Sequence, residues 1–251
     1  MYKTQELIYY QIFSGYENVV AFTTTKQTFN SPNPRFTGDS PEIFENNRLL
    51  LAEILMIKPE QLVFPRQTHT NCVAEISGIP ENEIKETDAL ITNKAGICLC
   101  VQTADCVPVL LFDTVKNAIA AVHAGWKGTV KKIAGVAVQK MVQNYGSSPK
   151  DIIAAIGPSI GPEIYEVGNE VVEEVRKSIP DSDNLLHKNS SGKFHLNLWD
   201  ANRQILLGKG LHEKNIEILG ECSFTKNHKY FSARKEGVET GRMVSGIMIV
   251  S

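Results

Sequence analysis

The chain has 251 residues, 42% of them hydrophobic, with 26 basic against 28 acidic side chains and a formal net charge of −2. That content supports a large core, and no linker, repeat or low-complexity tract divides it, so residues 1–251 are read as one domain. The charge balance excludes a dedicated nucleic-acid binder, and no apolar run reaches the roughly 18 residues that cross a bilayer. The opening MYKTQELIYY lacks the basic and apolar regions of a signal peptide. Five cysteines, three of them within Cys98–Cys106, read as reduced thiols rather than a disulfide framework. A cytoplasmic protein is expected.

In chain order, Leu7–Phe13 and Val19–Thr25 read as two strands of a hairpin. Ser40 as N-cap and Pro41 at the first helical position start a helix whose face carries Ile43, Leu50, Leu51, Ile54 and Leu55. Asn47–Arg48 sits within it, and the arginine reads as a solvated or ion-paired surface residue. Short strands are expected at Leu62–Phe64, Cys72–Ile76 and Asp88–Thr92. The alternation of Cys98 and Cys100 makes them small buried hydrophobes of one strand face.

Val107–Phe112 and Ala118–Val122 form an apolar hairpin across the polar Asp113–Asn117. A turn centred near Thr114–Val115 sets Cys106 opposite His123, close enough to share a metal ion or a proton. A slip of one residue would turn one of the two away. Ala124–Gly128 reads as a tight loop, followed by an amphipathic helix carrying Val130, Ile133, Ala134, Ala137, Val138 and Met141. Its N-terminus with Lys127 makes a weak anion seat.

A strand at Asp151–Ile156 leads into the stiff Gly157–Pro162 loop. A helix at Asn169–Ser178 and a polar surface excursion at Asp181–Lys193 come next. Phe194–Leu198 is a strand and Trp199–Leu207 a helix, while Ile216–Leu219, Tyr230–Ser232 and Met243–Val250 are the last strands. His195 reads as a core-edge histidine; His187, His212 and His228 carry no role.

His69, Cys106 and His123 stand out, yet none has CxxC or HExxH spacing. Spacing alone leaves open a shared metal site, a Cys106–His123 nucleophile–base pair and unrelated structural roles. Were all three to converge, the N and S donors suit zinc with a fourth position open to water. Asp105 beside Cys106 is then an acceptor behind the ligand or a base, although in a strand its side chain points the opposite way.

Arg66–Gln67–Thr68–His69, Asp88–Thr92, Thr103–Pro108, His123–Gly128, Gly157–Pro162 and a C-terminal Ser–x–Arg…Thr–Gly–Arg occur in that order over nearly the whole chain. The pattern resembles the bacterial laccase-domain family, first described as multicopper polyphenol oxidoreductases and later reassigned as zinc-dependent purine nucleoside phosphorylases. The resemblance implies an α+β fold, mixed β-sheets packed as a sandwich with helices on the outer faces. It implies one catalytic zinc on His69, Cys106 and His123. Phosphorolysis of adenosine, inosine and methylthioadenosine to base and ribose 1-phosphate follows from it, with adenosine deamination beside it. Lys127 stands where many relatives have arginine, and Ser232–Lys235 where an aromatic and a second arginine are common.

Arg66, Lys127 and Arg242 are the cationic candidates for phosphate, the co-substrate. The partners expected are purine nucleosides and phosphate, with no nucleic acid or membrane, for a monomer or homodimer. A copper-dependent polyphenol oxidase is disfavoured, because three donors hold one ion rather than a cluster. Two alternatives stay beside it: a metal-free cysteine hydrolase using Cys106 and His123, and a binding protein whose structural zinc takes Cys72 or Cys222 as a fourth ligand.

Overall fold

The computed structural model describes residues 6–29, 31–38 and 41–250. In chain order the first half comprises β1 (Leu7–Tyr9), β2 (Val19–Thr24), α1 (Pro41–Leu55), β3 (Leu62–Val63), β4 (Val73–Glu75) and β5 (Ala89–Thr92). Next come β6 (Cys98–Thr103), β7 (Val107–Asp113), β8 (Ala118–Ala124), α2 (Trp126–Val130), α3 (Ile133–Tyr145) and β9 (Ile152–Ile156). The remainder is β10 (Glu166–Val167), α4 (Asn169–Ser178), β11 (Leu186–Lys188), β12 (Phe194–Leu196), α5 (Leu198–Gly208), β13 (Ile216–Ile218), α6 (Ala233–Glu236) and β14 (Met243–Ile249).

The fold is α+β. A five-stranded sheet of order β1-β2-β14-β6-β3 packs on a six-stranded sheet of order β13-β9-β7-β8-β5-β4, and β10-β12-β11 form a third, small sheet. Both large sheets are mixed, because β3–β6, β4–β5 and β9–β13 pair in parallel and their other neighbours antiparallel. Alternation along the strands sorts their side chains. Leu110, Phe112, Ile119 and Ala121 meet Leu99, Val101 and Ile247 between the sheets. Val109, Leu111, Ala120 and Val122 face α3 and α5 on the outside. The other outer face lies under α1 and carries Cys98 and Cys100, buried as expected. Phe112 is fully buried, and Phe112→Ala should cost about 3–5 kcal/mol through lost transfer energy and a cavity.

The central hairpin is present with a shifted register. Pro108, not Cys106, stands opposite His123, and Asp113 opposite Ala118. Asp113 Oδ1 accepts from the N–H groups of Val115 and Lys116, and Asn117 takes a φ of 50°, so the turn centres one residue later than expected. The partners therefore move by two residues, which keeps every side chain on its expected face.

Other expectations are corrected. Gln11–Phe13 is a 3-10 turn rather than strand. Ser40 and the Ile43 side chain lie outside the described residues, and Leu50 is 38% exposed on α1. Arg48 is not a freely solvated side chain: it lies half-buried between the Phe44 and Phe64 rings at 4.8 and 4.9 Å while its Nε donates to Phe36 O. The Ala124–Gly128 loop is already helical from Trp126, and the expected single helix breaks at Lys132, whose φ is 58°. The polar excursion contains β11 and buries Leu185 and Leu186, while Tyr230–Ser232 forms no strand. His195, by contrast, keeps the core-edge place read for it, half-buried on β12 and 3.4 Å from Asn189. No helix among the described residues is long and apolar enough to cross a membrane.

Candidate metal centre

One end of the sandwich brings together the loop after β3, the bend between β6 and β7, and the end of β8. These supply His69, Cys106 and His123, whose donor atoms lie within 4.8 Å of one another. Cys106 Sγ is 3.8 Å from His69 Nε2, and the two imidazole rings meet edge-on with centroids 4.9 Å apart. A tetrahedral zinc separates its N and S donors by roughly 3.3–3.8 Å, so small side-chain shifts close the set on one ion. His123 is 4% exposed, Cys106 is intermediate and His69 faces solvent. Such a site is walled on one side and open on the other. Neither Cys72 nor Cys222 joins the group; Cys222 Sγ instead accepts from Gly161 N–H at 3.2 Å.

Asp88 organises both histidines, and sequence reasoning missed it. The β5–β8 register places Ala89 opposite Val122, so Asp88 faces His123. Its Oδ1 lies 2.7 Å from His123 Nδ1, which directs the Nε2 lone pair away from Asp88. The same carboxylate accepts backbone N–H bonds from Thr68, His69 and Thr70 at 3.2, 3.0 and 2.7 Å, and a hydroxyl bond from Thr70 at 2.7 Å. These bonds hold His69 in its left-handed conformation, φ 62°. Burial would push the Asp88 carboxyl up, but the bonds to His123 and Thr70 outweigh it and hold the group well below the usual carboxylate range.

Burial also opposes the charge on Cys106, and the positive His123 beside it wins, lowering the thiol to about 6. For His123, burial is overcome by the Cys106 thiolate and by Asp88, which raise the imidazole to about 9. Both directions favour a thiolate beside an imidazolium in the metal-free site.

Gly125 has to be glycine for space rather than for backbone angle. A Cβ there would come 2.9 Å from Cys106 Sγ and 3.0 Å from His69 Cδ2. Gly125→Ala should leave the fold intact and weaken metal binding by roughly tenfold or more, as expected of displaced ligands. Metal content after dialysis, set against the melting temperature, checks this.

Two cavities open onto the group, the larger reaching His69, Cys106 and His123 and the smaller only His69 and Cys106. The larger, about 700 Å³, is also lined by Arg35, Arg66, Arg234 and Arg242. The smaller, about 230 Å³, is walled by Trp126, Lys127, Ile160, Tyr165 and Leu198. His69, Asp105, Cys106, Ile160 and Tyr165 border both. The expected cations therefore separate, Arg66 and Arg242 to one cavity and Lys127 to the other. Arg242 donates to the carbonyls of Val238, Thr240 and Gly241, so it offers charge more than a free fork. Burial, and then the charge of Arg35, lower it to about 10.

Asp105 is not in a strand. It occupies the bend at φ 85°, and its carboxylate accepts from Ser223 Oγ and Arg234 N–H rather than from His69, Cys106 or His123. Arg35 and Arg234 were not among the expected cations; the Ser–x–Arg pattern was the one sign of Arg234.

A family model described as multi-copper polyphenol oxidoreductase laccase matches residues 21–250. A Bacteroides thetaiotaomicron protein named purine nucleoside phosphorylase is 39% identical, over 98% of this chain and 97% of its own length. A protein named adenosine deaminase RL5, from an unknown prokaryotic organism, is 38% identical over 92% of this chain and 94% of its own. The crystal structure of the Bacillus licheniformis hypothetical protein YfiH superposes with a TM-score of 0.90 at 30% identity, covering 99% of this chain and 98% of that one. With the family match spanning the site and these likenesses running nearly end to end, the chain belongs to the laccase-domain family that includes YfiH and YlmD.

Proposed function

We propose that this chain is a zinc-dependent purine nucleoside phosphorylase. It cleaves adenosine, inosine and methylthioadenosine with phosphate to the free base and ribose 1-phosphate, and deaminates adenosine as a side activity. The observation that carries the proposal is the convergence of His69, Cys106 and His123 beside a cavity with four arginines on its wall. The relatives named purine nucleoside phosphorylase and adenosine deaminase support it.

The donor set fits one zinc ion. It offers a thiolate, an imidazole whose other nitrogen is fixed by Asp88, and a second imidazole on a backbone held by the same carboxylate. Bound there, zinc would supply Lewis acidity and a water of lowered pKa. The chain's own residues do the rest. Arg35, Arg66 and Arg234 bring charge and N–H donors to the anionic co-substrate, and Arg242 deepens the positive potential. Trp126, Ile160 and Leu198 offer an apolar wall on the other side of the donors, with Tyr165 shared between the cavities. Burial and the negative Cys106 push the Tyr165 phenol up, so it stays protonated as a hydrogen-bond donor.

Product analysis tests this. Adenosine incubated with zinc-loaded protein should give adenine and ribose 1-phosphate only when phosphate is present, and His123→Ala should lose that product. Inosine appearing regardless of phosphate would make deamination the main chemistry. No turnover with one zinc bound would sink the nucleoside reading.

One observation favours a second reading. The lowered Cys106 thiol beside His123 is also the arrangement of a metal-free cysteine hydrolase. That enzyme would be inactivated by alkylation of Cys106 and would tolerate His69→Ala. The copper oxidase reading needs several ions, whereas among the described residues these three form the one group of its kind.

A further inference from the structure

Asp105 holds a left-handed backbone, φ 85°, that a non-glycine residue rarely adopts unless its surroundings impose it. Each carboxylate oxygen is fastened to a different part of the chain. Oδ1 accepts from the buried Ser223 hydroxyl at 2.6 Å, and Oδ2 from the Arg234 backbone N–H at 2.7 Å. The Asp105 carbonyl accepts from Ile160 N–H at 3.0 Å.

Arg234 lies in the first turn of α6, which is four residues long. Its N-terminus is held by three side-chain acceptors: Ser232 Oγ, which takes Lys235 N–H at 3.3 Å, Glu236, which takes Ser232 N–H at 3.1 Å, and Asp105, which alone comes from outside the turn. The Arg234 guanidinium then lies 5.3 Å from the Tyr165 ring centroid, and its two Nη atoms make only long bonds, 3.3 and 3.4 Å, to Glu166 O. Arg234 lines the large cavity, and Tyr165 and Asp105 border both.

We infer that Asp105 is a positioning residue: its carboxylate ties α6 to the bend beside Cys106 and so sets the Arg234 guanidinium on the cavity wall, where it takes an oxyanion. The oxyanion is inorganic phosphate, and in this respect the inference rests on the phosphorylase reading. Both oxygens are committed to fixed donors, which is the arrangement of a clamp rather than of a group that shuttles protons to a substrate.

The test compares wild type, Asp105→Ala, Asp105→Asn, Ser223→Ala and Arg234→Ala, all zinc-loaded. Phosphate affinity is measured by calorimetry, and KM for phosphate and kcat are measured with inosine. Asp105→Ala should weaken phosphate binding and raise its KM by about tenfold or more, the scale of losing one well-placed charged donor, with kcat at saturating phosphate down by less than about threefold. Asp105→Asn should recover most of that loss, since its Oδ1 accepts from Arg234 N–H and its Nδ2 donates to Ser223 Oγ. Ser223→Ala should fall between. In Arg234→Ala, adding Asp105→Ala should cost no further phosphate affinity.

If Asp105→Ala does not fold, the Ser223→Ala and Arg234→Ala comparison carries the decision. Loss of kcat by about a hundredfold in both Asp105 variants, with phosphate affinity intact, would make Asp105 a proton carrier and overturn the inference. Unchanged phosphate affinity in Asp105→Ala overturns it too. A wild type that binds phosphate but cleaves no nucleoside overturns the phosphorylase reading alone, because the calorimetric series still decides the clamp. A wild type without phosphate affinity overturns both.

Discussion

Asp88→Ala should bind zinc about 10²- to 10⁴-fold more weakly than wild type and lose nucleoside turnover with it. The size follows from what the carboxylate holds. An outer partner of one ligand typically costs 10–100-fold in metal affinity, and Asp88 serves two ligands at once. It bonds the His123 ring and the backbone that presents His69. Asp88 is 0% exposed and His123 4%, so truncation strands a buried imidazole and takes the acceptor from the N–H groups of Thr68, His69 and Thr70. Removing one partner of such a pair destabilises a protein by about 3–5 kcal/mol. Asp88→Asn keeps the shape but turns an N–H face toward N–H donors, so it should still lose about tenfold or more in affinity. Thr70→Val, which removes one of five bonds to the carboxylate, should lose little. Zinc titration with melting curves on the three variants checks the order. Wild-type zinc affinity in Asp88→Ala would remove Asp88 from the centre.

The pH dependence has a definite sign. The folded Asp88 carboxyl lies well below its ordinary value near 4. Its contribution to stability is therefore complete above about pH 4 and lost as the pH falls through the more acidic range where the folded group takes its proton. Acid unfolding of wild type should steepen there, and Asp88→Asn should lack that component.

Much of this arrangement was legible in the sequence, and the boundary is physical. The β7–β8 hairpin is local, so apolar alternation and a polar turn located both strands, and the two-residue shift left Cys106 and His123 in phase. The helix Asn169–Ser178 and the burial of Cys98 and Cys100 follow from periodicity in the same way. What was missed depends on pairing between distant segments or on backbone strain. Asp88 meets His123 only because β5 pairs with β8, and no periodicity states which strands are neighbours. Arg234 reaches Asp105 across 129 positions. His69, Asp105 and Lys132 adopt left-handed angles that non-glycine residues do not advertise, and they sit where the helix breaks and where the donors converge.

Stripping the metal from wild type should abolish nucleoside turnover and lower the melting temperature, and one equivalent of zinc should restore both. A metal at a hundred times its dissociation constant adds about 2.7 kcal/mol to the folded state, a shift of several degrees that heat denaturation resolves. The protonation of the empty site shapes how that metal returns. Burial resists both charges, yet each partner overrides it for the other, leaving Cys106 at about 6 and His123 at about 9. Zinc takes the thiolate and the neutral imidazole, so in the window from about pH 7 to 8.5 the proton displaced is that of His123. Affinity should therefore climb by about tenfold per pH unit across that window, with close to one proton released per zinc. Calorimetry in buffers of different ionisation enthalpy counts that proton directly. In His123→Ala the release should vanish together with most of the affinity, whereas in Arg66→Ala, which lines the cavity without offering a donor, both should stay at the wild-type value. Zinc binding to wild type without proton release would mean that the empty site holds a neutral imidazole, and the thiolate–imidazolium pair would fall.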